Sequence, residues 1–320
     1  MKLLLCMFLI NLATIGLFAQ TKTDYDFSES EVSFKTLPGD IYGSLTVPIN
    51  VKSSPLVIII AGSGPTDRDC NSVMGIQTNA YKLLAENFAK NGIATLRYDK
   101  RGIAKSKPAM TSESDLRFET YINDVVSWVN FFKDDKRFSK IILLGHSEGS
   151  LIGMIAAGQT NVAGYISIAG AGKPADDILR EQLKDKLPLN LLSESNKILD
   201  SLKAGKTVAN FDQQLASLYR LSVQPYMISW MKYDPAKEIA KLKIPVLILQ
   251  GTTDLQVSVD DAKLLSTGKP DAKLLIIENM NHVLKDCDSD IQKNMSTYKN
   301  PDLPLKTELV DALVDFILKK

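Results

Sequence analysis

Stretches of continuous apolar residues alternate with amphipathic stretches along most of the chain. Residues 55–61 form an apolar run, as expected for a strand buried on both faces of a parallel sheet. Residues 80–91 carry apolar side chains at helical spacing and are followed by Gly92, a residue favoured at helix C-termini. The same rhythm predicts further strands at 93–98, 140–144, 164–169, 244–250 and 273–277, and helices at 119–134, 150–158, 260–265 and 306–318. Repeated strand–helix–strand units predict an α/β fold with a parallel sheet and helices on both faces.

Two segments depart from this rhythm. Residues 31–34 and 41–47 alternate apolar and polar side chains on either side of a Pro-Gly-Asp turn, which predicts a β-hairpin. Between 173 and 241 strand character is low and helix formers are frequent, with helices expected at 177–186, 191–203 and 211–221. We therefore predict one α/β core, 20–172 and 242–320, interrupted by a helical insertion at 173–241.

The first residues have a different character. Lys2 precedes an almost continuous apolar stretch, 3–18, and polar sequence begins after Ala19, the layout of a secretory signal peptide. The apolar stretch is shorter than the roughly 20 residues that span a bilayer, and no positive cluster follows it. We expect cleavage of residues 1–19, a secreted or periplasmic mature protein and no stable membrane anchor.

Composition narrows the range of partners. The chain has 320 residues, of which 45% are apolar, and a formal net charge of +1. These values are typical of a globular protein, and a near-neutral charge gives no electrostatic footprint for nucleic acid. A small-molecule or peptide partner is therefore expected, and nothing in the composition indicates an oligomeric state.

Residues 145–149 read Gly-His-Ser-Glu-Gly and match the Gly-x-Ser-x-Gly pattern. A predicted buried strand precedes the pattern and a predicted helix follows it, which is the strand–turn–helix setting of a nucleophile elbow. Ser147 is therefore the candidate nucleophile. A serine hydroxyl needs a base, and the chain contains only two histidines. His146 adjoins the serine and points elsewhere on the turn, so His282 is the candidate base.

The base requires an acid that fixes its tautomer. Asp254 follows the predicted strand 244–250 and gives the chain order Ser, Asp, His. Asp260 and Asp261 are the alternatives, but they begin the next predicted helix, where carboxylates stabilise the positive end of the helix dipole. We therefore choose Asp254.

An oxyanion formed by attack of the serine needs two backbone N–H donors. One is expected from Glu148, the residue after the nucleophile, and the other from the loop after the strand 55–61. Ser63 is our choice for this second donor, with Gly64 as the alternative. The glycines of the loop also fit a simple turn.

Five short motifs lie at the ends of predicted strands: Ala61-Gly62-Ser63-Gly64-Pro65-Thr66-Asp67-Arg68-Asp69, Tyr98-Asp99-Lys100-Arg101-Gly102, Gly145-His146-Ser147-Glu148-Gly149, Gly251-Thr252-Thr253-Asp254 and Asn281-His282. Together they resemble the bacterial α/β-hydrolase superfamily, in particular its secreted carboxylesterase-like branch, which is often grouped with serine aminopeptidases. The resemblance implies an eight-stranded, mostly parallel sheet, a triad of Ser147, Asp254 and His282, and a lid formed by the insertion.

The chain departs from that family pattern at two positions. Ala61 stands where a histidine often precedes the oxyanion glycine, which removes one hydrogen bond that braces the loop. Cys70 stands where the loop usually has glycine. Because the loops that carry Cys70 and Cys287 converge on the active site in this fold, we hypothesise that these two cysteines form a disulfide.

The insertion is rich in aromatic and thioether side chains that suit an acyl or aromatic pocket. They are Tyr219, Tyr226, Met227, Trp230, Met231 and Tyr233. Each of them also fits plain packing of the insertion on the core. Tyr226 and Trp230 are our candidates for substrate-binding residues.

The leading functional prediction is hydrolysis of esters with small to medium acyl groups through an acyl-enzyme intermediate. The alternative is a serine aminopeptidase acting on short peptides, in which Glu181, Asp185 or Glu194 would bind the free amine. A binding protein with an inactive hydrolase fold is a third reading, but no triad member is missing. No metal or organic cofactor is implied.

Overall fold

The computed structural model describes residues 25–319, so the predicted signal peptide, 1–19, lies outside the described residues. The described residues form ten strands: β1 (Phe27–Phe34), β2 (Ile41–Pro48), β3 (Ser54–Ile60), β4 (Asn71–Ser72), β5 (Ile76–Gln77), β6 (Ala94–Tyr98), β7 (Phe138–His146), β8 (Gly164–Ile168), β9 (Val246–Gly251) and β10 (Lys273–Ile277). Eight of them form one sheet in the order β1-β2-β6-β3-β7-β8-β9-β10, and β4 and β5 form a separate small hairpin.

The large sheet is mostly parallel. β1, β2 and β6 pair antiparallel at one edge, and every pairing from β6 to β10 is parallel. The predicted eight-stranded α/β fold is confirmed, and the predicted hairpin at 31–34 and 41–47 is the β1–β2 pair. Because the central strands run parallel, their C-terminal ends and the loops that follow them meet at one edge of the sheet, where active sites of open α/β sheets lie.

Between residues 25 and 319, eleven α-helices accompany the sheet: α1 (Ala80–Lys90), α2 (Phe118–Phe132), α3 (Glu148–Gln159), α4 (Ala175–Lys184), α5 (Leu189–Lys203), α6 (Ala216–Tyr219), α7 (Gln224–Trp230), α8 (Pro235–Ala240), α9 (Val259–Gly268), α10 (Ile291–Thr297) and α11 (Thr307–Leu318). Alternate residues of β3 face opposite sides of the sheet and contact different layers of helices. Leu56 and Ile58 pack with α2 and α3 on one face, whereas Val57 and Ile59 pack with α1 and α11 on the other. The sheet is therefore buried on both faces.

The segment 173–241 contains helices α4 to α8 and no strand among the described residues. It has its own apolar cluster, which includes Leu191, Leu199 and Tyr219. The helix expected at 211–221 is instead a 3-10 turn followed by the four-residue α6, and α7, α8 and α10 were not predicted. No helix within residues 25–319 is long and apolar enough to cross a membrane.

Candidate active site

Ser147 occupies a sharp turn between β7 and α3. Its backbone dihedrals are φ 56° and ψ −124°, a conformation that L-residues rarely adopt and that places the side chain above the sheet edge. The flanking glycines permit this turn. A Cβ on Gly145 would lie 2.2 Å from the Gly149 carbonyl oxygen, and one on Gly149 would lie 2.2 Å from the Ile60 carbonyl oxygen. Only glycine fits at either position.

His282 and Asp254 form a hydrogen-bonded pair at the same edge of the sheet. His282 Nδ1 lies 2.8 Å from Asp254 Oδ2, and both side chains are buried. The other carboxylate oxygen of Asp254 accepts the backbone N–H groups of Gln256 and Val257, at 2.8 and 3.0 Å. This geometry fixes Nδ1 as the protonated nitrogen of His282 and leaves Nε2 free to accept a proton.

The environment of Asp254 favours its charged form. Burial alone would raise the pKa of the carboxyl, but the charge of His282 and the hydrogen bonds from His282, Val257 and Gln256 lower it below the usual value. The two alternative acids serve elsewhere. Asp261 forms a capping box with Ser258 at the start of α9, and Asp260 is exposed and paired with Lys263.

The residues that carry the predicted oxyanion donors line the same cavity as the nucleophile. Ser63, Gly64, Ser147 and Glu148 line one cavity of about 280 Å³. A Cβ on Gly62 would lie only 3.1 Å from Ser147 Cβ, so the loop after β3 passes directly beside the nucleophile. Glu148 is the first residue of α3, whose N–H has no acceptor within the helix. The N–H groups of Ser63 and Gly64 likewise have no acceptor among residues 25–319.

His146 links three parts of the site without being a candidate base. Its Nδ1 lies 2.8 Å from the Tyr81 hydroxyl, which accepts the Gly62 N–H, and its Nε2 lies 2.9 Å from the His282 carbonyl oxygen. Because a carbonyl can only accept, Nε2 carries the proton and Nδ1 accepts from Tyr81. Burial, together with the charge of His282, lowers the pKa of His146 to about 3, so the ring is neutral.

The hypothesised disulfide between Cys70 and Cys287 is not formed in the structure, where both are free thiols. Cys70 packs in the core against Thr78 and Tyr81, and burial raises its pKa to about 11. Cys287 is only half-buried and lies among acidic side chains of its own loop. Convergence of the two loops therefore does not bring the two sulfurs together. Cys70 has φ 71°, which explains why glycine was expected there.

The helical insertion supplies most of the wall opposite the nucleophile. Tyr226 and Trp230, the predicted substrate-binding residues, both line the cavity. The apolar part of the lining is completed by Leu151, Ala171, Ala175, Ile178, Leu179, Leu218, Val223, Met227, Pro235 and Val257. Its mixed aliphatic and aromatic surface suits an apolar acyl group.

The three acids predicted to bind an amine do not line the cavity. Glu181 is exposed and paired with Lys173, Glu194 accepts the backbone N–H of Asp212, and Asp185 ends α4. The carboxylate that does face the cavity is Glu148, a residue expected to contribute only its N–H.

Sequence reasoning missed the partners of Glu148. Its Oε1 accepts the Tyr226 hydroxyl at 2.8 Å, and its Oε2 lies 3.4 Å from Lys100 Nζ. Lys100 is 1% exposed, although it belongs to the Tyr98–Gly102 motif and follows β6. The motif indicated that Lys100 lies at the end of a core strand, but it did not indicate Glu148 as the partner of Lys100.

Comparisons with known proteins agree with this architecture. The family model described as serine aminopeptidase, S33 (Hydrolase_4), matches residues 74–288, more than half of the chain. Esterase EstD of Thermotoga maritima is 29% identical over 288 residues, which cover 84% of this chain and 66% of the relative. A monoglyceride lipase homolog of Monkeypox virus is 25% identical over 245 residues, 69% of this chain and 83% of that protein.

Solved structures resemble the fold over most of its length. Est1E from Butyrivibrio proteoclasticus with bound ferulic acid has a TM-score of 0.60 at 20% identity, and 90% of this chain aligns with 100% of that one. The Pyrococcus furiosus esterase Pf2001 has a TM-score of 0.56 at 16% identity, covering 91% of this chain and 90% of the other. At these identities the likeness concerns the fold alone.

Proposed function

Since the chain belongs to the serine aminopeptidase S33 family of α/β-hydrolases, we propose that it is a serine hydrolase that cleaves carboxylic esters of small to medium acyl groups. One observation carries the proposal. The strained Ser147 lines a largely apolar cavity, and the buried Asp254–His282 pair adjoins the same turn, because the His282 carbonyl oxygen lies 2.9 Å from Nε2 of His146. Residues on two sides of Ser147, in the loop after β3 and at the start of α3, line that cavity and have backbone N–H groups without an acceptor among residues 25–319, as acyl transfer requires of an oxyanion site.

The reaction follows from these positions. His282 Nε2 takes the proton of Ser147 as Oγ attacks the ester carbonyl, and Asp254 stabilises the imidazolium that results. The N–H groups of Ser63 and Glu148 hold the oxyanion, with Gly64 as the alternative donor in the loop. His282 then protonates the leaving alcohol, and a water molecule activated by the same nitrogen hydrolyses the acyl-enzyme.

The lining of the cavity and the relatives both favour esters. A volume of about 280 Å³ with largely aliphatic and aromatic walls accommodates a small or medium acyl group. One relative is named an esterase and another a monoglyceride lipase homolog, and the structure of Est1E contains ferulic acid. Glu148, the carboxylate at the cavity, is already paired with Lys100 and Tyr226 and offers no free charge to a peptide amine.

The nucleophile is tested with a fluorophosphonate probe. The wild type is expected to be labelled and the Ser147→Ala variant is not, while Ser139→Ala on β7 serves as a serine control that remains labelled. Equal labelling of Ser147→Ala and wild type would refute the nucleophile.

Substrate class is tested with two panels. Turnover of p-nitrophenyl esters from acetate to decanoate is expected, with a maximum at short to medium chains and little turnover of aminoacyl anilides. Faster turnover of the anilides would instead establish the aminopeptidase alternative.

Two further assignments complete the proposal. Residues 173–241 act as the lid over the core formed by 20–172 and 242–320, because they supply Tyr226 and Trp230 to the cavity. The mature protein is secreted or periplasmic, an assignment supported by the basic and apolar pattern of residues 1–19. Mass spectrometry of the exported protein should give a chain that begins at Gln20.

A further inference from the structure

Lys100 lies between the loop after β3 and the start of α3, and its ammonium group is buried there. Its Nζ donates to the Gly62 carbonyl oxygen, lies 3.4 Å from Glu148 Oε2 and stands 5.0 Å from the centre of the Tyr121 ring. The side chain of Lys100 is 2% exposed and that of Glu148 is 5% exposed. A fully buried lysine is rare. This one contacts the Gly62 carbonyl and the Glu148 carboxylate, and both residues belong to the proposed oxyanion site.

The contact with Gly62 determines where the next N–H points. In a trans peptide the carbonyl and the following N–H point in opposite directions. The peptide that presents its Gly62 oxygen to Lys100 therefore turns the Ser63 N–H away from Lys100. Ser63 lines the cavity beside Ser147. The other side of Gly62 is fixed as well, because its N–H donates to the Tyr81 hydroxyl at 3.3 Å.

The contact with Glu148 reaches the second donor. The backbone N–H of Glu148 is the donor on the nucleophile elbow, and the side chain of the same residue extends to Lys100 and Tyr226. One ammonium group thus touches the loop after β3 through a carbonyl and the elbow through a carboxylate. Its position sets the separation between the two N–H groups that would hold the oxyanion.

We propose that Lys100 is a positioning residue that aligns the two halves of the oxyanion hole by binding the Gly62 carbonyl and the Glu148 carboxylate together. This inference rests on the proposed function, since it assigns Lys100 to the same site. Lys100 does not touch the reacting atoms. It acts through the Gly62–Ser63 peptide, and it also polarises that peptide, because a cation at the carbonyl oxygen strengthens the N–H on the opposite side.

A simpler role for Lys100 would be to neutralise Glu148. Removing one partner of a buried ion pair leaves an uncompensated charge and destabilises a protein strongly, whereas removing both partners is often tolerated. The double variant Lys100→Met/Glu148→Gln separates the two roles. It removes both charges of this ion pair, retains an acceptor for the Tyr226 hydroxyl, and leaves the Gly62 carbonyl without its donor.

The experiment compares this double variant with wild type and with the matched double variant Arg101→Met/Asp124→Asn. Arg101 is the neighbouring cation of the same motif, and its pair with Asp124 is similarly shielded, but it does not contact Gly62. Readouts are kcat and KM for a p-nitrophenyl ester, the rate of fluorophosphonate inactivation, and the affinity for an alkyl boronic acid, which forms a tetrahedral adduct with the nucleophile.

We expect the double variant to lose about 10²-fold in kcat with KM within about threefold of wild type, since a lost oxyanion donor costs about 10²- to 10³-fold. Boronic acid affinity should fall in parallel, while Arg101→Met/Asp124→Asn keeps kcat within about threefold. Lys100→Arg, which keeps a charged donor at a displaced position, should retain labelling and lose about 10-fold in kcat, and it replaces the double variant if that protein does not fold.

Three results would overturn the assignment. Wild-type kcat in the double variant would reduce Lys100 to charge neutralisation. A raised KM with unchanged kcat would move it to substrate binding. Failure of the proposed function would instead appear as equal ester turnover by wild type and Ser147→Ala. That result would also rule out the proposed role of Lys100.

Discussion

Acidification tests how His146 is held in the core. The ring is 4% exposed and lies between Tyr81 and the carbonyl of His282. Burial is the main cause that lowers its pKa to about 3, and the charge of His282 adds to it, against smaller opposing contributions from the His282 carbonyl and Asp254. An unfolded histidine has a pKa near ~6.5. Between these two pKa values the unfolded chain therefore binds a proton at His146, whereas the folded protein leaves the ring neutral.

The sign and size of the effect follow from proton linkage. A histidine with a lowered folded pKa contributes stability that is present above pH ~6.5 and is lost as the pH falls toward 3. Each pH unit in that window lowers the free energy of unfolding by up to about 1.4 kcal/mol. The total loss at pH 5, relative to neutral pH, is about 2 kcal/mol. The Asp254 carboxyl, whose pKa is lowered, contributes stability that is lost only at more acidic pH.

The assay is urea unfolding of wild type and His146→Gln at intervals from pH 4.5 to 8. We expect the variant to be less stable at pH 8 and to approach wild type at pH 5, because it lacks the titrating ring. With only two histidines in the chain, ¹H–¹³C spectra of labelled protein resolve each ring, and the variant assigns them. Parallel stability curves, or a His146 signal that titrates near pH 6.5, would refute the buried neutral ring.

Three further changes test neighbouring parts of the site, and a fourth, Tyr219→Phe in the insertion, is the control for one of them. Asp254→Asn should lower kcat by about 10⁴-fold without unfolding the protein, measured by steady-state kinetics and circular dichroism, because the tautomer of the base is no longer fixed. Tyr81→Phe leaves the Gly62 N–H without an acceptor and should cost about 2 to 4 kcal/mol of unfolding free energy and about 10-fold in kcat. Tyr219→Phe, whose hydroxyl bonds to the insertion alone, should cost about 1 kcal/mol and leave kcat unchanged. Gly62→Ala should slow fluorophosphonate labelling about 10-fold or more, because its Cβ would press on Ser147 at 3.1 Å; an unchanged rate would contradict the close approach of the loop.

Sequence periodicity predicted the sheet because each core strand is a continuous apolar run with turn residues at its ends. It failed where elements are short. β4 and β5 have two residues each, and α7 and α8 have seven and six, too few for a helical period to emerge. A local signal was available for α8, since Asp234 caps it and Pro235 begins it.

The three residues proposed as the triad could be located from the sequence because they follow strands whose C-terminal ends meet at one edge of the sheet. The residues that brace the site could not. His146 reaches the carbonyl of a residue 136 positions away, and Lys100 reaches one 38 positions away. Neither contact produces a pattern that can be recognised in the local sequence. The disulfide hypothesis failed for the same reason, because convergence of two loops does not determine where two particular side chains point.

The departure at Ala61 shows how the missing brace is replaced. A histidine at that position would have supplied one hydrogen bond to the loop after β3, and its absence predicts a looser oxyanion loop. In the structure the next residue, Gly62, is held on both sides, by the Tyr81 hydroxyl at its N–H and by Lys100 at its carbonyl. Tyr81 is itself oriented by His146, so the histidine that was eliminated as a base braces the loop that we propose to hold the oxyanion. Loss of either brace should therefore affect kcat more than KM, since both act on a group that binds the transition state more tightly than the substrate.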